Sequence, residues 1–176
     1  MRAVVIYESM YGNTHQVAEA IGRGLASTGE VHVVHVSDAR CRDLDNCDLV
    51  VVGGPTHAHS ISRASTRHDA VVKAAQKDEL TVEPDAERIG VREWLNDLAP
   101  ASCCLAASFD TRLEGSPMLT GRASKTIAKR LRDKGYQLPS DPESFLVTKD
   151  SVLVEGEDER AEAWGRALVR SLTPAH

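Results

Sequence analysis

Four consecutive apolar residues, Leu49-Val50-Val51-Val52, constrain the fold more than any other stretch of this chain. A strand with one face in water alternates apolar and polar residues. An unbroken apolar run must be covered on both faces, as a central strand of a parallel sheet is. Gly53-Gly54-Pro55 follows and reads as an abrupt end to that strand. The other strands are expected at residues 3–7, 31–36 and 103–108, with at least one of 145–147 and 152–154 as the fifth. Helices are expected at 13–27, where Val17, Ala18, Ile21 and Leu25 share a face, and at 64–76 and 88–98. Another runs from a Thr120 cap to Lys134, with Gly135 beyond its end. The last begins near Glu157, whose acidic first turn suits the positive end of a helix. Strand and helix in alternation imply an α/β fold, a three-layer α/β/α sandwich around a parallel sheet with right-handed crossovers. A chain of 176 residues is enough for one domain, taken as residues 1–176.

Parallel sheets of this kind bind ligands beyond the carboxyl ends of their strands. There the chain places Ser9-Met10-Tyr11-Gly12-Asn13-Thr14, between the first strand and the first helix. The amides opening a helix are unpaired and carry partial positive charge. Together with Ser9, Asn13 and Thr14 they suit one phosphate, and Gly12 allows the tight turn. The loop has neither the lysine of a P-loop nor the repeated glycines of a dinucleotide fingerprint. A monophosphate held by neutral donors is the expected ligand.

This loop resembles the phosphate-binding loop of the flavodoxin family, Thr/Ser-x-Thr-Gly-x-Thr. Ser9, Gly12 and Thr14 match, and Tyr11 replaces the usual Thr. The Ser-Met-Tyr-Gly form is also similar to loops of flavodoxin-fold quinone reductases. The resemblance implies FMN as cofactor and a five-stranded sheet of order 2-1-3-4-5. It places the flavin ring between the loops after the third and fourth strands. In the first of these, Pro55, Thr56, His57, Ala58 and His59 would contact the ring, or the histidines are simply exposed. In the second, Ser108, Phe109, Asp110, Thr111 and Arg112 would do so, although no Tyr is there to stack on the ring. The alternative is that Phe109 completes the core. Weak aromatic stacking, Ala58 near flavin N5, and a histidine that would favour the reduced anion if protonated predict a less negative, more pH-dependent potential. They also predict a less stabilised one-electron state than a typical flavodoxin has.

The formal charge of −5 argues against nucleic acid as the main partner. No apolar run approaches a membrane span, and no leader peptide is visible, so a cytoplasmic protein is expected. Cys41, Cys47, Cys103 and Cys104 form no zinc or redox motif, and Cys103 and Cys104 read as buried strand residues. His57 and His59 lack a third partner for a metal. His32 and His35 read as strand-surface residues, and Trp94 and Trp164 as core anchors. Lys125, Lys129, Arg130, Arg132 and Lys134 read as a solvated helix face. No hydrolytic triad or carboxylate pair is present, and no catalytic residue is assigned. The expected function is FMN-dependent electron transfer between redox protein partners. The alternatives are an FMN-dependent NAD(P)H:quinone reductase and a flavin-free scaffold acting through protein contacts.

Overall fold

A computed structural model describes residues 1–40, 44, 46–77, 80–101 and 105–172. Cys41, Cys103 and Cys104 lie outside the described residues, as does the expected start of the fourth strand. The strands are β1 (Arg2–Tyr7), β2 (Glu30–His35), β3 (Leu49–His57), β4 (Ser60–Ile61), β5 (Leu105–Leu113) and β6 (Glu143–Val147). The helices are α1 (Asn13–Leu25), α2 (Ala64–Ala74), α3 (Val91–Asp97), α4 (Pro117–Thr120), α5 (Ala123–Asp133) and α6 (Glu157–Leu172). A short 3-10 turn, Ala26–Thr28, closes α1. The sheet order is β2-β1-β3-β5-β6, all parallel, with β4 added antiparallel to β3. Without β4, this is the expected 2-1-3-4-5.

The continuous apolar runs are explained by register. Odd-numbered residues of β1 and β3 (Ala3, Val5, Leu49, Val51) join Ala107, Phe109 and Phe145 under α1 and α6. Even-numbered ones (Val4, Ile6, Val50, Val52) join Ala106 under α3 and α5, with Trp94, Leu95, Ile127 and Leu131. Each strand thus feeds two cores. The α1–α6 layer is unusually close. A Cβ on Gly24 would sit 2.2 Å from the Glu162 carbonyl oxygen, and one on Gly165 would sit 2.5 Å from that of Ile21. Phe109, Phe145 and Trp164 pack edge to face beside it, at centroid distances of 6.1–6.4 Å.

Four expectations need correction. β3 does not stop at Gly53 but runs to His57. The Gly53 carbonyl accepts from the Glu8 amide on the β1 side. Pro55, two residues on, faces the same side where β1 has ended, so its missing N–H costs no ladder bond. Residues 108–112 are not a loop either; they continue β5, paired to β3 through Pro55 and to β6 through Leu113. Thr120 does not cap the following helix. It ends α4, which Ser116 caps, and α5 begins at Ala123. His35 is buried, its ring edge-on to Tyr7 at 5.4 Å. The expectation for the fifth parallel strand holds through 145–147, which lies in β6, while the segment 152–154 adds an antiparallel bridge, Leu153 to Val147.

Candidate cofactor site

A cleft of about 200 Å³ opens at the carboxyl ends of β1, β3 and β5. Its floor is the expected loop: Ser9, Met10, Tyr11, Asn13 and Thr14 all line it. Gly12 occupies the N-cap of α1 at φ 89, in the left-handed region open to glycine. No side chain caps α1, so its leading amides are left for a ligand. Ser9 Oγ accepts from the Gly12 amide at 3.1 Å and keeps its own proton to donate. The Thr14 and Thr111 hydroxyls pair at 2.7 Å, leaving one donor spare.

Neighbouring elements are tied to this floor. Tyr11 donates its hydroxyl to the Ala70 carbonyl of α2 at 2.8 Å. Asn13 Nδ2 donates to the Ser151 carbonyl at 2.7 Å, holding the turn after β6. The Glu83 amide donates to Met10 O at 2.9 Å, and the Glu83 carboxylate pairs with His15 at 2.8 Å. His15 in turn stacks on Tyr7 at 4.6 Å. Met10, Ala70 and Ala86 form a small apolar cluster behind the loop.

Pro55, Thr56 and His57 line one wall, and Thr111, Arg112 and Leu113 line another with Val147. Thr56 Oγ1 accepts from the Ala123 amide at 3.0 Å, so that hydroxyl helps to start α5. Arg112 is fixed by the carbonyls of Leu113 (3.1 Å) and Gly115 (2.9 Å) and by Thr120 Oγ1 (3.2 Å). Burial pushes the His57 pKa down, and the charge of Arg67 adds to that, so His57 is neutral at pH 7. That removes His57 from the expectation of a protonated histidine.

Six expected residues do not line the cleft: Gly12, Ala58, His59, Ser108, Phe109 and Asp110. Phe109 is fully buried in the α1–α6 core. Ala58 and His59 are exposed and form the two-residue turn between β3 and β4, at φ 45 and 70. Asp110 is buried and its Oδ2 accepts from the Ser124 amide at 2.7 Å; burial pushes its pKa up, against the pull of Ser124 and Arg122. Lys73, Leu113, Val147, Lys149 and Ser151 line the cleft without having been expected. Lys149-Asp150-Ser151 is a polar turn after an apolar strand, which was the available signal for two of them.

Beneath the floor lies a buried charged cluster. Glu8 and Arg67 are 2% and 3% exposed. Glu8 Oε2 accepts from the Val91 amide at 2.7 Å, and Arg67 Nη1 bonds Ser62 Oγ at 3.0 Å and Glu93 at 3.2 Å.

Residues 4–76 match the flavodoxin domain family. No curated protein matches the chain. Among solved structures, it is similar to flavodoxin 2 from Bacillus cereus, with 17% identity and a TM-score of 0.68 over 97% of this chain and 99% of that one. A flavodoxin from the domain Archaea shows 20% identity and a TM-score of 0.64, over 98% and 99%. The chain has the flavodoxin-like fold. The flavodiiron protein from Giardia intestinalis is also similar, with 20% identity and a TM-score of 0.62, over 97% of this chain and 36% of that one. Among the described residues, no helix is long and apolar enough to cross a membrane.

Proposed function

We propose that this protein binds FMN without a covalent bond and carries electrons between redox protein partners. The observation that carries the reading is the floor of the cleft, an uncapped helix start behind a left-handed glycine, with spare hydroxyl donors facing a cavity at the switch point. That donor set fits a phosphate monoester. Residues 9–14 hold the phosphate in this reading. Pro55, Leu113 and Val147 offer apolar lining to a planar ring, with Thr56, His57, Thr111 and Arg112 as its polar neighbours. When bound, the flavin supplies one- and two-electron redox chemistry. The chain's part is to bind and orient it and to limit water around it. No side chain needs to act as acid or base.

The test is titration of apoprotein with FMN, followed by flavin fluorescence. Saturable quenching at one FMN per chain is expected. No binding at micromolar FMN overturns the reading. Steady NAD(P)H oxidation with a quinone acceptor by the loaded protein would replace the carrier with a reductase.

A further inference from the structure

Lys73 and Lys149 reach the cleft from opposite walls, one on α2 and one on the turn after β6. Each wall is docked to the floor by a hydrogen bond from that floor: Tyr11 to Ala70 for α2, Asn13 to Ser151 for the turn. The residues that surround the open end of α1 therefore also tie down the two segments that carry these lysines. Among the described residues, neither lysine makes an ion pair, whereas Arg23, Arg67, Arg88, Arg160 and Arg166 all meet carboxylates. No Asp or Glu lines the cleft, although the chain has 26 acidic residues against 21 basic ones. Arg112, the third cation there, is held by the lip at residues 113–120. Two positive charges are thus left over, on either side of a site built for an anion.

We infer that Lys73 and Lys149 form a charge clamp that makes this cleft select a phosphate dianion, beyond what the neutral donors of the loop achieve. The inference rests on the flavin reading above and assigns two further residues to it. A phosphate monoester takes its second negative charge near pH 6. A clamp of two cations rewards that second charge; neutral donors reward it less. The clamp therefore predicts FMN binding that strengthens from pH 5 to pH 7 and weakens with salt. Riboflavin, which has the same ring and no phosphate, should show neither trend.

The experiment titrates apoprotein with FMN, with riboflavin, and with FMN against inorganic phosphate. It compares wild type with Lys73→Gln, Lys149→Gln and the double variant, at pH 5 and pH 7, in low and high salt. Both lysines are exposed, so the variants should fold. Each single substitution should weaken FMN about fivefold, the size of one exposed charge contact, and the pair should multiply. Riboflavin affinity should stay within about twofold, and the double variant should lose most of its pH and salt dependence. Inorganic phosphate should compete with FMN for wild type and do so less well for the double variant. FMN binding that ignores both substitutions, or FMN and riboflavin weakening together, overturns the clamp while leaving the flavin site standing. Failure of wild type to bind either flavin overturns both.

Discussion

The two layers that cover the sheet solve the same packing problem in opposite ways. The α1–α6 layer is dry and tight: glycine against helix backbone, and Phe109, Phe145 and Trp164 edge to face. The α3–α5 layer has an apolar base, but beneath the cleft it buries Glu8, Arg67, Ser62 and Asp110. The first layer holds loops only at its ends, where Asn13 fixes the turn after β6, and its middle can be stiff. The second must fix several loop ends at once, and buried polar groups do that with direction. Glu8 fastens the start of α3, Asp110 and Thr56 fasten the start of α5, and Arg67 joins α2 to α3.

The largest test removes the cation from the polar layer. Arg67→Met leaves Glu8 buried with its main compensating charge gone and frees Glu93. About 3 kcal/mol of stability should be lost in urea unfolding, in the range for breaking a buried pair. A loss below about 0.5 kcal/mol would mean that the cluster has no structural weight, and the contrast between the layers would fail.

In the dry layer the corresponding test adds one methyl. Gly165→Ala puts a Cβ 2.5 Å from the Ile21 carbonyl oxygen and 3.1 Å from the Gly24 Cα. Neither is a flexible side-chain end, so α6 must shift as a body. The expected cost is about 2 kcal/mol, with FMN affinity little changed because the cleft lies elsewhere.

The dry layer was easier to read in the sequence for the same reason. Its residues follow hydrophobic period alone: Val17, Ala18, Ile21 and Leu25 on α1, and the odd positions of β1 and β3. The floor of the cleft was legible too, because a strand–loop–helix with small polar residues carries its chemistry in local order. The second and third loops were not. A chain stops looking like a strand at Gly53-Gly54-Pro55, yet β3 continues, because pairing with β5 and the β4 hairpin overrides local propensity. Lys73 was invisible for a different reason, since α2 is tied to the floor across 59 residues, and the polar turn that carries Lys149 gave a signal without showing its tether, which spans 138.

Two carboxyls in different layers, Glu8 and Glu157, titrate with opposite sign. Burial raises the Glu8 pKa above the ordinary value of 4.5, against the opposing pull of Ser62, Val91 and Arg67. A carboxyl whose folded pKa is raised contributes stability below its unfolded pKa and loses it as pH rises through the folded value. Glu157, at the start of α6, behaves oppositely. Burial works against it, but Arg160 and the Leu146 amide hold its pKa low, so its contribution is present above the unfolded pKa and lost on acidification. Glu8→Gln should therefore flatten the fall in stability as pH rises above 4.5, while Glu157→Gln should reduce the loss on acidification below it. Unfolding midpoints measured at several pH values distinguish the two. Parallel changes in both variants would erase the difference between these two carboxyls.

The smallest effect is at the tip of the polar layer. Ala58 and His59 join β3 to β4 with both residues at positive φ, the requirement of the primed two-residue hairpin turns. Alanine tolerates that region poorly, whereas asparagine tolerates it through local hydrogen bonding. The turn persists because the tip is anchored from outside. Ser60 and Thr126 pair their hydroxyls at 2.9 Å, Thr56 accepts from Ala123, and the His59 backbone bridges Gly121. Ala58→Asn should relieve the turn and raise stability by about 0.5 kcal/mol. Because Ala58 is exposed and does not line the cleft, FMN affinity should not change. A stability gain with weakened FMN binding would show instead that the strained tip holds Thr56 and His57 in place, and that the polar layer uses backbone strain as well as buried charge to shape the cleft.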